Sequence, residues 1–126
     1  MADVTPIAPE GRQLIEAYGD GRFRISARAY EGSVIVFADA VLSWSVTEIG
    51  ALTPDSLSPA AERASELDVL IVGTGDRFVR PDPALVETCR RHGMALEMMD
   101  TGAACRTYNL LLGDGRRVAA ALIAVD

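Results

Sequence analysis

Polar chemistry concentrates in two short stretches of this 126-residue chain. The first, Gly73-Thr74-Gly75-Asp76-Arg77, follows an apolar run and sets approachable backbone N–H groups beside a guanidinium. The second runs Met99-Asp100-Thr101-Gly102-Ala103-Ala104-Cys105-Arg106-Thr107-Tyr108-Asn109, between apolar Met94–Met98 and Leu110-Leu111-Leu112. It reads as the turn out of a strand and the first turns of a helix. Asp100 or Thr101 would cap the first free N–H groups. The positive helix end then lies within two turns of a thiol, a guanidinium, two hydroxyls and an amide.

If the strands before the two stretches run parallel, both end at the same sheet edge, where α/β proteins bind ligands. Gly73, Thr74, Gly75, Asp76 and Arg77 would face Asp100, Thr101, Cys105, Arg106, Thr107 and Asn109 across one pocket. Backbone N–H groups, a helix end and the guanidiniums of Arg77 and Arg106 would suit a small anion, a carboxylate or phosphate. The same Gly-x-Gly serves any tight strand exit, and the next helix begins too far on for a dinucleotide loop. Cys105 reads first as an ordinary packed cysteine; the alternative, from its place early in a helix beside Arg106, is a nucleophile with a lowered thiol pKa. Asn109, one turn on and on the same face, is suited to hold a neighbouring backbone group. Tyr108 reads as core with its hydroxyl at the rim.

Periodicity and punctuation supply the elements that must position these groups. Residues 1–12, with Pro6, Pro9 and Gly11, read as a flexible arm, and 13–126 as a single α/β domain. Leu14–Tyr18 suits a strand or a short helix; Gly19-Asp20-Gly21 turns into a strand beginning Phe23-x-Ile25. Glu31-Gly32 turns again into the β-branched Ser33–Phe37, and Val41-x-x-Trp44-x-Val46 follows, so the first third reads as an antiparallel meander. Thr53-Pro54-Asp55 starts a helix that Pro59 keeps short. Beyond it come a buried strand at Leu67–Val72 and a helix opened by Asp82-Pro83, with Leu85, Val86 and Cys89 inward and Gly93 ending it. A strand at Met94–Met98, the Asp100–Leu112 helix stopped by Gly113-Asp114-Gly115, and a strand at Val118–Val125 complete the chain. Strand, helix, strand, helix, strand after a meander implies a layered α/β fold with a central mixed sheet and about three helices.

Composition removes several function classes. The net charge of −6 opposes a nucleic-acid partner, which needs concentrated positive surface; the pairs Arg90-Arg91 and Arg116-Arg117 do not overturn that. Every basic residue is Arg, so no side-chain Schiff base and no lysine-bearing phosphate loop can form. The only His is His92, at a helix end, which excludes a Ser-His-Asp set. Cys89, Cys105 and His92 fall short of the four ligands of a structural zinc site, and neither metal nor cofactor is expected. No apolar run approaches a transmembrane length, and residues 1–9 carry no secretory or import signal, so a bacterial cytoplasm is the expected compartment.

The combination of Gly73-Thr74-Gly75-Asp76-Arg77, Asp100-Thr101, Ala104-Cys105, Thr107, Asn109 and Gly115-Arg116 before Ala121-Leu122-Ile123 resembles a widespread family of small α/β domains. Gly32-Ser33-Val34 and Trp44 fit it too, so the likeness runs from Leu14 onward. The family includes the mitochondrial respiratory complex I assembly factor 3 and a human adipogenesis-associated relative. The resemblance implies a layered α/β fold, no established enzymatic activity and a binding role. The implied partners are respiratory-complex subunits or another assembly factor, met at the inner membrane.

Overall fold

The computed structural model describes residues 2, 3 and 11–126. Most of the expected N-terminal arm lies outside them, but Ala2–Asp3 forms a short strand, β1, paired with β2 (Ile15–Gly19). The stretch from Leu14 is thus a strand and not a helix. It runs antiparallel to β3 (Arg22–Ile25), which pairs with β4 (Arg28–Glu31). Gly19, Asp20 and Gly21 all have positive φ in the first turn, as the sequence led one to expect. The second turn is Ser26-Ala27, at φ 48° and 67°, with neither Gly nor Asn to ease the left-handed backbone. The Glu16 carboxylate accepts from the Ala27 N–H at 2.6 Å and helps to hold it.

The meander stops at β4. Gly32, at φ 76°, redirects the chain into a second sheet, so β5 (Val34–Phe37) pairs with β6 (Ala40–Ser43) and not with β4. This corrects the single meander: its strands divide between a four-stranded sheet, β1-β2-β3-β4, and a five-stranded one. Trp44 and Val46, expected on a strand, lie past the end of β6, both buried; the indole N–H donates to the Ser56 carbonyl at 2.8 Å. Three short 3-10 turns, Ile49–Ala51, Asp55–Leu57 and Ala64–Glu66, and α1 (Ser58–Ala61) cover this side.

The second half follows the expected alternation: β7 (Val69–Gly73), α2 (Pro83–Arg91), β8 (Ala95–Met99), α3 (Thr101–Gly113) and β9 (Val118–Leu122). The larger sheet has the order β6-β5-β9-β7-β8; β7 is parallel to β8 and β9, and β5 antiparallel to β9, so it is mixed. From β7 the chain moves out to β8, then back past β7 to β9. Right-handed crossovers in opposite directions send α2 and α3 to opposite faces.

Strand alternation divides the core accordingly. Val118, Ala120 and Leu122 pack with Ile71, Val36, the α3 residues Ala104, Cys105 and Tyr108, and Ile15 and Phe23 of the small sheet. Ala119 and Ala121 face Ile35, Leu70, Val72, Leu85, Cys89 and Trp44. Each fully buried Ile, Leu or Phe contributes roughly 1.5–3 kcal/mol over leaving it exposed.

Local signals position both long helices. Asp82 caps α2, accepting from the Ala84 N–H at 2.9 Å, with Pro83 in the first turn. Leu85 and Cys89 are buried, one turn apart. Val86 is 42% exposed, correcting its inward assignment, because the residue next to Leu85 points about 100° away. In α3 the cap is Asp100, whose Oδ1 accepts from the Ala103 N–H at 2.9 Å. Among the described residues no helix is long and apolar enough to cross a membrane.

Candidate functional site

Because β7 and β8 are parallel, the glycine turn and the start of α3 meet at one rim, joined there by the end of β9. Thr101 ties the three together. Its hydroxyl donates to the Ile123 carbonyl at 2.7 Å and accepts from the Gly75 N–H at 3.0 Å; its own N–H donates to the Gly75 carbonyl at 2.9 Å. Thr74 adds a backbone bond to the Met99 carbonyl at 2.8 Å, and its hydroxyl donates to the carbonyls of Arg77 and Met99. Gly73 is required by contact: a Cβ there would stand 3.0 Å from the Thr101 Cα and Oγ1 and from Leu122. Gly75 is required by its φ of 103°.

The rim therefore forms but is filled. Thr101 is completely buried, and the N–H groups of Thr74, Gly75, Thr101 and Ala103 each donate within the protein. Gly102 is covered by Tyr18: a Cβ on Gly102 would lie 2.5 Å from the tyrosine oxygen. The Asp100 carboxylate occupies the helix end that an incoming anion would use. Asp76, Arg77 and Arg106 are exposed and Thr107 half-buried, outside this closed set. The structure thus brings Gly73, Thr74, Gly75, Asp100 and Thr101 into one hydrogen-bonded knot and leaves the two arginines at the surface.

Cys105 does not have the environment expected of a nucleophile. It is fully buried, and desolvation pushes its thiol up to about 12, outweighing the Arg106 charge that lowers it. Proximity to a helix start lowers a thiol pKa only where solvent or a cation stabilises the thiolate; Cys105 faces the core. Cys89 is raised by burial as well, and lies in the opposite core layer.

Asn109 holds backbone, as its position suggested. Its Oδ1 accepts from the Ile15 N–H at 3.0 Å and its Nδ2 donates to the Ile15 carbonyl at 2.8 Å. The Tyr108 hydroxyl, in a fully buried residue, donates to the Gln13 carbonyl at 3.0 Å, so two successive residues of α3 grip the start of β2 and the chain just before it.

A second polar region was not found by motif. At the amino ends of β7 and β9, Arg12, Phe37, Asp39, Arg63, Glu66, Arg116 and Arg117 line a cavity of about 260 Å³. Only the Arg116-Arg117 pair signalled it in sequence; the rest come from three separate segments.

Comparison with known proteins agrees with the fold. Residues 15–123 match the family described as "Protein of unknown function (DUF498/DUF598)". The NADH dehydrogenase [ubiquinone] 1 alpha subcomplex assembly factor 3 of Xenopus tropicalis is 38% identical over 110 residues, covering 87% of this chain and 60% of that protein. The chain spans about three-fifths of the length of the curated assembly-factor relatives it matches. The Rpa2829 protein of Rhodopseudomonas palustris superposes with a TM-score of 0.81 at 40% identity, over 99% of this chain and 93% of that one. A crystal structure described as an outer membrane protein from Bartonella henselae gives a TM-score of 0.86 at 34% identity, over 92% and 98% of the two chains. Sequence match, fold and identity together show that the chain belongs to the DUF498/DUF598 family and is similar, at 30–38% identity, to NADH dehydrogenase [ubiquinone] 1 alpha subcomplex assembly factor 3 proteins.

Proposed function

We propose that this protein is a non-catalytic binding domain that serves the assembly of a respiratory NADH dehydrogenase, working in the bacterial cytoplasm and reaching the inner membrane through its partner. The observation that carries this reading is the match to assembly factor 3 across 87% of the chain. The geometry supports it in a second way. The closed knot of Gly73, Thr74, Gly75, Asp100 and Thr101 spends its polar groups on internal order and fixes the loop that follows β7. That loop presents Phe78, 58% exposed, and Val79 beside exposed Asp76, Arg77 and Arg80. An apolar centre with a charged border is the make-up of a protein contact.

Affinity capture with the tagged chain from gently solubilised membranes tests the reading, with quantitative mass spectrometry against a tag-only control. NADH dehydrogenase subunits are expected among the enriched proteins, and Phe78→Asp is expected to reduce that enrichment. Recovery of those subunits at the control level would refute it.

A further inference from the structure

The cavity at the amino ends of β7 and β9 gathers four of the chain's twelve arginines, Arg12, Arg63, Arg116 and Arg117, against Asp39 and Glu66. Asp68 stands just outside, bound to Arg117. The balance is positive in a chain of net charge −6.

The carboxylates are spent on fixing two of the four guanidiniums. Arg63 lies 4.2 Å over the Phe37 ring, with its Nη2 at 2.8 Å from both Asp39 and Glu66 and its Nε donating to Glu66 at 3.3 Å. Its Nη1 takes no part in these bonds. Arg117 grips Asp68 with two bonds, at 2.7 and 3.2 Å, and donates to the Ser65 carbonyl at 3.1 Å. These contacts hold the planar forks in place without using all five N–H donors of either group. Arg12 and Arg116 are exposed and form no ion pair among the described residues.

Two fixed guanidiniums, and two that form no ion pair among the described residues, focus positive potential from a concave wall into the space they enclose. Guanidinium forks match the paired oxygens of a carboxylate or phosphate. The space is smaller than the roughly 300–1,000 Å³ of pockets that enclose a drug-sized ligand, so it suits an anionic group and not a nucleotide. The α3 C-terminus lies beside it, but the Leu110, Leu111 and Leu112 carbonyls already accept from Asp114, Arg116 and Gly115. We infer that this cavity is an oxyanion-binding site that takes the carboxylate or phosphate group of a small acid or of a partner's acidic side chain. The site does not depend on the assembly role, and failure of the membrane capture would leave it standing.

Titration of the full chain by heteronuclear NMR tests it, with inorganic phosphate and a pentaglutamate peptide as separate probes. Saturable shifts are expected for the amides of Ala38, Asp39 and Gly115 to Val118. Saturation by phosphate alone identifies a free small anion as the source, by the peptide alone a protein carboxylate, and by both a site open to either. The Arg12→Gln/Arg116→Gln variant is expected to weaken saturation about tenfold or more. Arg77→Gln/Arg106→Gln, on the opposite rim, is expected to leave it unchanged. These four residues are exposed, so each variant keeps the fold, and its unshifted core amides verify this. The inference is overturned if neither probe saturates, or if the Arg12/Arg116 variant binds as the unaltered chain does.

Discussion

At the carboxyl ends of β7, β8 and β9 the polar groups turn on one another; at the amino ends of β7 and β9 they line an open hollow. Both rims carry backbone turns, a threonine or serine carbonyl contact, and arginines. On the carboxyl rim Thr101 spends its hydroxyl and its N–H on Gly75 and Ile123, and the Thr74 and Gly75 N–H groups also donate within the protein. On the amino rim Arg63 and Arg117 are held by carboxylates while Arg12 and Arg116 form no ion pair among the described residues. The position rule for α/β sheets directs attention to the carboxyl rim. A rim becomes a site only if its donors stay uncommitted, and here the loop after β7 and the start of α3 consume theirs. What they gain is a rigid platform beneath Phe78.

This contrast makes the carboxyl rim the stability-bearing one, and three experiments can break or sharpen it. Thr101→Val should have the largest effect. It keeps the shape but strands the Gly75 N–H and deprives the Ile123 carbonyl, for a loss of about 2–4 kcal/mol in urea unfolding. A loss below about 0.5 kcal/mol would mean the knot is not structural.

The buried thiols come next. Cys105, pushed up to about 12, and Cys89, also raised, are neutral in the folded chain where an unfolded thiol would ionise near 8.5. Their folded pKa values exceed the unfolded ones, so this stability is complete below about pH 8.5 and is lost as pH rises toward 12. Unfolding midpoints measured from pH 7 to 11 should fall at the alkaline end, by less in Cys105→Ala than in the unaltered chain. Iodoacetamide should label Cys105 only on unfolding; rapid labelling of the native chain near pH 7 would reinstate a reactive thiol.

The smallest effect belongs to the amino rim. Arg117 holds Asp68 well below the usual carboxylate range, a contribution present at neutral pH and lost as acid protonates the carboxyl. Both groups are half-exposed, so Asp68→Asn should lower stability far less than Thr101→Val, and less again in high salt. A loss as large as that of Thr101→Val would erase the distinction between the rims.

How legible this was depended on sequence distance. The second half could be read because its signals are local: Asp82-Pro83 and Asp100 at helix starts, Gly93 and Gly115 past helix ends, the apolar runs of β7 and β9. Ser26-Ala27 turns through left-handed backbone with residues that do not advertise it, so β4 went unseen. The departure of β5 from the meander is decided by its pairing with β9, more than eighty residues on, which no local pattern encodes. Thr101 and Cys105 were placed on the right helix, but whether a side chain faces ligand or core depends on what covers it. Tyr18 and the small sheet do the covering. The amino-rim arginines are scattered along the chain and share no motif.

The helix α3 meets two customers, the strand ends through Thr101 and the small sheet through Asn109. Eight positions separate them, two turns and about 80° of rotation at 3.6 residues per turn. Their angular phase is therefore locked: adding or deleting one residue between them swings one of the two by about 100° and unhooks it. Along this span the spelling can drift while the letter count cannot.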